Sequence, residues 1–585
     1  MMATLPQHDV PGNLIQIMPK EELIRQRLAD ERARLERVAG IERKEIKHFH
    51  RPIERSFTKQ QRANTTILFG GLTWKHEKLI HAVLSNLGYK CEPVPTPDKR
   101  AFQLGKEYGN NGQCNPTYFT VGNLVQMLQR LEEKGMTKQE IIDGYVFFTA
   151  GACGPCRFGM YEAEYRLALR NSGFDGFRVL LFQQSGGLNQ ADAEAGLEMN
   201  TDFFLGILNA LNIGDVINDV AYQIRPYEVN AGETDRVLAE CMELIHTSVR
   251  NMEPPPPSVL SKLAGDETAK ILRALVADDY LKPLREVRDR LNAIEVDRTR
   301  VKPIVKITGE FWAQTTEGDG NFNMFRFLEK EGGQVLVEPI ATWITYMIHQ
   351  VVQKYRDTKG LDDGALAPAA WRLDKHLKIG FETKKKVARL KIAEKVFRRE
   401  YHRIVEALGG MTHHLIDQYE LQRIAHPYYN SRAGGGEGHL EVAKNIYYSN
   451  QGLAHMVLCL KPFGCMPSTQ SDGAQSAVMG HFKDMIFLPI ETSGEGDVNA
   501  HSRVQMALGE AKSKAKLEFK AALESAGYDL DEIREFVDEH PEMKKPMYHV
   551  PTTKGVVGVA ANFVRHVGDL MKKAGRTHTA LMAAD

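Results

Sequence analysis

The sequence predicts an α/β protein of several domains, and three observations carry that reading. Short β-rich apolar runs alternate with stretches of helical period, they do so in two separate series, and a proline run lies between the series. At roughly 100–200 residues per domain, 585 residues of which 43% are hydrophobic provide three or four folding units. The segments expected are a helical arm (1–63), a first α/β domain (64–230), a helical connector with a Pro-rich break (231–300), a second α/β domain with a helical insertion (301–560) and a tail (561–585).

The arm reads as helix from about Pro19 to Thr58. Its charges surround a thin stripe of Leu23, Leu28, Leu35 and Val38, a pattern that packs on another subunit or on the body of its own chain. The first βα series starts at Asn64 with the run Thr65–Phe69, which ends in Gly70-Gly71. Helix His76–Leu87, extended Cys91–Val94, the runs Tyr145–Thr149 and Phe177–Phe182, and helix Met160–Arg170 follow. Strands separated by helices imply parallel sheets covered on both faces. Pro254–Pro257 cannot continue a helix and marks the connector. The second series comprises strands Ile304–Ile307, Val335–Glu338, His455–Leu460 and Met485–Pro489. Its helices are Asn323–Lys330, Ala341–Val352, Asp472–His481 and Val498–Glu524, with a helical block at Lys384–Ile424.

The charge balance, 75 Lys+Arg against 75 Asp+Glu, argues against a nucleic-acid or membrane-surface protein, and Lys384-Lys385-Lys386 reads as a solvated helix face. No stretch reaches the ~18 uncharged apolar residues of a bilayer span, and Met1–Lys20 lacks a basic start followed by an apolar core. Seven cysteines are too few for a disulfide scaffold, so a cytoplasmic location with unpaired thiols is expected.

Five of those thiols sit in loops bracketed by Gly or Pro. Cys114 ends the turn-forming run Tyr108-Gly109-Asn110-Asn111-Gly112-Gln113, and Cys153-Gly154-Pro155-Cys156 follows a strand and opens a helix beside Arg157. Cys459 and Cys465 close the strand His455–Leu460 and its loop. Thiols at helix N-termini gain from the macrodipole, which favours thiolate, and open α/β sheets place ligands at the carboxyl ends of their strands. A structural zinc site calls for two short pairs close in sequence. A thioredoxin-like dithiol of Cys153 and Cys156 would leave Cys114, Cys459 and Cys465 unexplained. An iron-sulfur cluster, which takes three or four thiolates from distant loops, accounts for the set. Glu310, Asn499 and Arg503, each near a strand end, together with Arg157, are possible lining residues of the same cleft. The loop Ala433–Gly438 lacks a P-loop Lys-Ser/Thr and reads as a weak phosphate cradle or a flexible lid.

Longer motifs make the resemblance specific. Gly70-Gly71-Leu72-Thr73, Gly109–Pro116, Gly151–Gly159, Gly309-Glu310-Phe311-Trp312, Pro462–Pro467 and Asp497-Val498-Asn499 resemble the 2-hydroxyacyl-CoA dehydratase/benzoyl-CoA reductase superfamily, and most of all its acyl-CoA dehydratase activase-related branch. The resemblance spans Asn64 to Met506. The longest members of that branch carry an ATPase of the sugar-kinase/actin fold ahead of this region, and no phosphate-loop signature precedes it here.

The resemblance implies two Rossmann/flavodoxin-like domains with a cysteine-bound cluster between them, 4Fe-4S or a larger double cubane. It further implies a homodimeric activator ATPase as the source of low-potential electrons, and an activity like that of an ATP-dependent reductase or dehydratase. Cys114, Cys153 and Cys465 are then the leading ligands, with Cys156 and Cys459 as further candidates, and a homodimer or hetero-oligomer is expected. The chain is longer than the usual dehydratase subunits, and their acyl-CoA contacts are not identifiable in it. A non-catalytic maturation or scaffold subunit is the alternative function.

Overall fold

The computed structural model describes residues 20–39, 55–151, 156–183, 187–188, 195–253, 270, 277–359, 373–434 and 436–576. The chain divides into two compact units, Met1–Ile53 and Glu54–Asp585. In the first, helix Lys20–Val38 has Ile24, Leu28, Leu35 and Val38 exposed. Residues 40–54 of the predicted arm helix, the predicted Pro254–Pro257 break, the 577–585 end of the tail and Cys153 lie outside the described residues, and 55–58, expected to end that helix, are not helical.

Within the second unit the two predicted series form two sheets. The first has the order β2-β1-β3-β4-β5 and the second β7-β6-β8-β9. The strands are β1 Thr66–Phe69, β2 Cys91–Pro93, β3 Tyr145–Gly151, β4 Arg178–Gln183, β5 Gly187–Leu188, β6 Ile304–Gly309, β7 Gln334–Leu336, β8 Met456–Pro462 and β9 Phe487–Thr492. All neighbours are parallel except the short β4–β5 pair. Parallel strands need helical crossovers on both faces, which explains why Ile67, Leu68, Val305 and Ile307 are all buried whichever way they point. The Cys153/Cys156 segment lies between β3 and β4, which pair in parallel across a helix, unlike the antiparallel hairpin that a thioredoxin unit would continue into.

In each sheet the first strand lies between the second and the third, so connections leave it in opposite directions and open a crevice at the carboxyl ends of β1/β3 and of β6/β8. Glycine permits the close approach there. Gly309 has φ +120°, and a Cβ on it would meet the Leu460 carbonyl at 2.0 Å.

The two halves are joined by buried polar contacts. Asp215, on helix Thr201–Ile224, accepts the amides of Ile340 and Ala341 at 2.9 Å each and lies 3.2 Å from His76 Nε2. One carboxylate thus caps the first turn of helix Ile340–Asp357 while gripping the first half. The buried Lys75 ammonium reaches Glu317 at 2.8 Å, and Trp312 stacks on Phe119 with ring centroids 5.5 Å apart. Thr201–Tyr227 is long and apolar enough to resemble a membrane span, but it carries Asp202, Asp215 and Asp219, and most of its apolar segment is buried inside the protein, where it serves as core.

Deeper in the second half, Lys306 Nζ lies 2.7 Å from Glu338, both side chains almost fully enclosed, with Lys444 at 3.9 Å. Despite the burial that opposes ionisation, Lys306 and Lys444 hold the Glu338 carboxyl down at about 2. A carboxyl depressed in the folded state contributes stability above its unfolded value, and that contribution is lost as pH falls through the folded one. Glu338→Gln should therefore cost about 3–5 kcal/mol near pH 6, and the gap to wild type should narrow as pH drops from about 4.5 to 2. Urea unfolding across that range checks it, and a gap that stays constant rules the ionised pair out.

Candidate functional site

Five side chains converge at the carboxyl ends of the strands, and each occupies the position before the first turn of a helix. Cys114 precedes Asn115–Glu133, Cys156 the 3-10 turn Arg157–Met160, Glu310 the short helix Phe311–Thr315, Glu437 helix Gly438–Asn450 and Cys465 helix Met466–His481. Strand-to-helix connections place Cys156, Glu310 and Cys465, where β3, β6 and β8 hand over to the next helical turn, while Cys114 and Glu437 arrive on helix-to-helix loops after Lys99–Tyr108 and Gln418–Ala425. Free amides and the positive ends of helix dipoles therefore collect at one place.

Cys114 and Cys465 are brought together by backbone. The Asn115 amide donates to the Phe463 carbonyl at 3.0 Å, and a Cβ on Gly464 (φ +75°) would lie 3.2 Å from the Gln113 carbonyl and 3.4 Å from Cys114 Cα. The Cys114 loop is pinned from below by the buried Glu164, which accepts the Asn110 amide at 3.1 Å, Asn110 Nδ2 at 2.8 Å and Gln113 Nε2 at 3.1 Å. The Arg157 guanidinium donates to the Gly112 carbonyl and so ties the Cys156 turn to the same loop. On the other side Gly436 (φ +109°) closes the group. A Cβ there would meet Pro467, one residue into the Cys465 helix, at 2.3 Å and Cys156 Cβ at 3.8 Å.

Three thiols from positions 114, 156 and 465 therefore share one buried neighbourhood with Glu310, Glu437 and Glu441. The Cys114 thiol is hydrogen-bonded to the Thr117 and Tyr161 hydroxyls at 3.1 Å each. Burial is the largest influence on every one of these groups. It raises Cys114 in spite of those two hydroxyls, and with Glu437 beside it pushes Cys156 up to about 12. Cys465 is raised by burial and then by Glu310 and Glu441. Glu310 is pushed up to about 7 by burial, against the Trp312 and Ala313 amides, and Glu437 to about 8 by burial with Glu310 and Glu441 next to it. Glu310 acts on all three thiols. Left to itself the group favours its protonated forms, because burial and the neighbouring carboxylates oppose each anion more than Lys444 and the local amides favour it.

The donor set, three thiols and buried carboxylates facing helix N-termini, fits a thiophilic cationic centre with net negative charge once its ligands have ionised. Cys153 belongs to the loop that carries Cys156 but lies outside the described residues. Among the described residues no three His, Cys, Asp or Glu side chains are already grouped as a metal site.

Other expected residues take different places. Cys459 does not close its strand. It sits in the middle of β8, buried and in register with Thr308 of β6, because β8 runs on to Pro462. Arg503 donates to the Pro489 carbonyl at 3.0 Å and Asn499 is exposed, since both lie on the outer turns of helix Asp497–Ala526. Glu437, Glu441, Glu164 and Tyr161 were not anticipated from sequence. The acid in the glycine loop before a helix was the available signal for Glu437. The others become meaningful only through distant partners. A scan against family models and a search of curated proteins found no match to the chain.

Two outcomes follow for the metal-free protein. With Cys156 near 12, about one thiol in ten thousand is ionised at pH 8, so its alkylation by iodoacetamide should run over a hundredfold slower than that of a free cysteine. Peptide mapping by mass spectrometry measures this, and labelling at the free-cysteine rate contradicts the burial described. Gly464→Ala, which forces a Cβ into the Cys114 loop at φ +75°, should cost about 1–3 kcal/mol in denaturant unfolding, and a cost below about 0.5 kcal/mol would show that the two loops are not locked.

Proposed function

We propose that the chain is an iron-sulfur protein of the 2-hydroxyacyl-CoA dehydratase/benzoyl-CoA reductase type that accepts low-potential electrons from an activator ATPase and passes them to a substrate or to a partner metallocentre. The observation that carries this reading is the meeting of Cys114, Cys156 and Cys465, far apart in sequence, at the switch points of two parallel sheets. The order 2-1-3-4 in each half is also that of flavodoxin-like sheets.

In this reading Cys114, Cys465 and the Cys153/Cys156 loop hold the cluster, and Cys459, buried within its sheet, does not. When bound, the cluster supplies one-electron chemistry at low potential. The protein's own contribution is to keep the thiols dry, to bring their helix N-termini to the anionic centre, and to set Tyr161 and Thr117 against the Cys114 sulfur, where hydrogen bonds tune potential. Phe463 and Met160, 56% and 58% exposed beside the two cysteine turns, and the neighbouring Met466 give the mouth an apolar rim suited to a docking protein.

Anaerobic purification with iron and acid-labile sulfide analysis tests the proposal. Wild type should hold both, Cys114→Ala and Cys465→Ala should lose most of them, and Cys459→Ala should not. A wild type without iron after reconstitution, or full iron in both ligand variants, rejects it. Nucleotide-dependent capture of an ATPase that carries its own cluster is the corresponding result for the partner.

A further inference from the structure

Three carboxylates border the thiols, and their hydrogen bonds separate them. Glu441 is satisfied, since Ser468 Oγ donates to one of its oxygens at 2.6 Å and Ser471 Oγ to the other. Glu310 caps its own helix by accepting the Ala313 amide at 2.9 Å. Glu437 occupies a capping position but does not cap, and among the described residues no group other than its own amide bonds its carboxylate, although only 6% of the residue is exposed. A buried carboxylate with a single local donor is costly to keep.

The loop that holds it is built to stay there. Gly436 packs against Pro467 so closely that no other residue fits, and the same atoms lie against Cys156. Gly438 follows with its Cα side packed on the Tyr429 hydroxyl and the Pro467 carbonyl. Glu437 is thus fixed between the Cys156 turn and the first turn of the Cys465 helix, with Lys444 as a cation that only partly offsets its neighbours.

Resting on the iron-sulfur reading above, we propose that Glu437 is an oxygen ligand of the metal centre, so that coordination is mixed thiolate and carboxylate and the glycine loop is the ligand's carrier. A hard oxygen donor among soft sulfurs singles out one metal position, which binds and exchanges differently from its all-sulfur neighbours. Such a position is where a further ligand or a substrate oxygen would enter. This assigns the 431–438 loop a metal-binding role in place of phosphate binding.

The test uses the full chain, reconstituted anaerobically with ⁵⁷Fe and sulfide, as wild type, Glu437→Gln and Glu437→Cys. Wild type is expected to show one iron position with an isomer shift of oxygen ligation in the Mössbauer spectrum. Glu437→Gln should lose that component and release iron to an external chelator roughly tenfold faster or more. Glu437→Cys should retain iron with a uniform all-sulfur spectrum, which also answers the case in which Glu437→Gln fails to fold. Wild-type spectra and chelator resistance in both variants overturn the Glu437 assignment and leave the cluster standing. Absence of iron from the wild type overturns the centre itself, and this assignment with it.

Discussion

One backbone contact carries the geometry of the site. The Asn115 amide bonds the Phe463 carbonyl, and Gly464 lies against the Cys114 backbone, so the first sheet's loop and the second sheet's loop become one surface. Neither half has the donor set by itself. The first contributes Cys114, Cys156 and Tyr161, the second Glu310, Glu437 and Cys465. Contacts farther along the interface, from Asp215 to the Ile340 helix and from Lys75 to Glu317, make that juxtaposition rigid. Because they are buried and charged, shifting the halves would strand each of them without partners, which is far more costly than breaking exposed ion pairs.

Two electrostatic influences compete over the thiols. Helix N-termini favour thiolate by something under 2 kcal/mol in partly buried settings, whereas desolvation and three adjacent carboxylates favour thiol. The direction of every shift shows that desolvation dominates in the protein alone. A multiply charged cationic centre reverses the balance, because its field adds to the dipoles and no longer opposes burial of the anions. In the iron-sulfur reading the same arrangement would keep the thiols inert when unmetallated and receptive to metal, with metal affinity coupled to proton release.

Much of the fold was legible in the sequence, for a physical reason. Strands buried on both faces leave continuous apolar runs, so β1, β3, β4, β6, β8 and β9 were each read within a few residues of their ends. Helix Asn115–Glu133 was missed because Cys114 and Pro116 sit among turn formers that in fact serve as its cap and first turn. Thr201–Ile224 escaped because a helix buried all round shows little periodicity. β8 was read two residues short, and that error moved Cys459 from the middle of a strand to its end. In the site, cysteines announced themselves by chemical type. The acids did not, since Glu164, Glu441 and Glu437 differ from surface glutamates only in what the distant chain folds over them.

The glycine loop shows how little sequence distinguishes flexibility from closeness. Ala433–Gly438 has the composition of a mobile lid, yet Gly436 is seated where a single methyl would collide with Pro467. Gly436 and Gly438 are required for contact, and the contact delivers Glu437 into a space beside Cys156. A loop held this tightly cannot open without withdrawing its acid from between the two cysteine turns. Movement of the loop and the charge placed beside Cys156 and Cys465 are therefore governed by the same few residues.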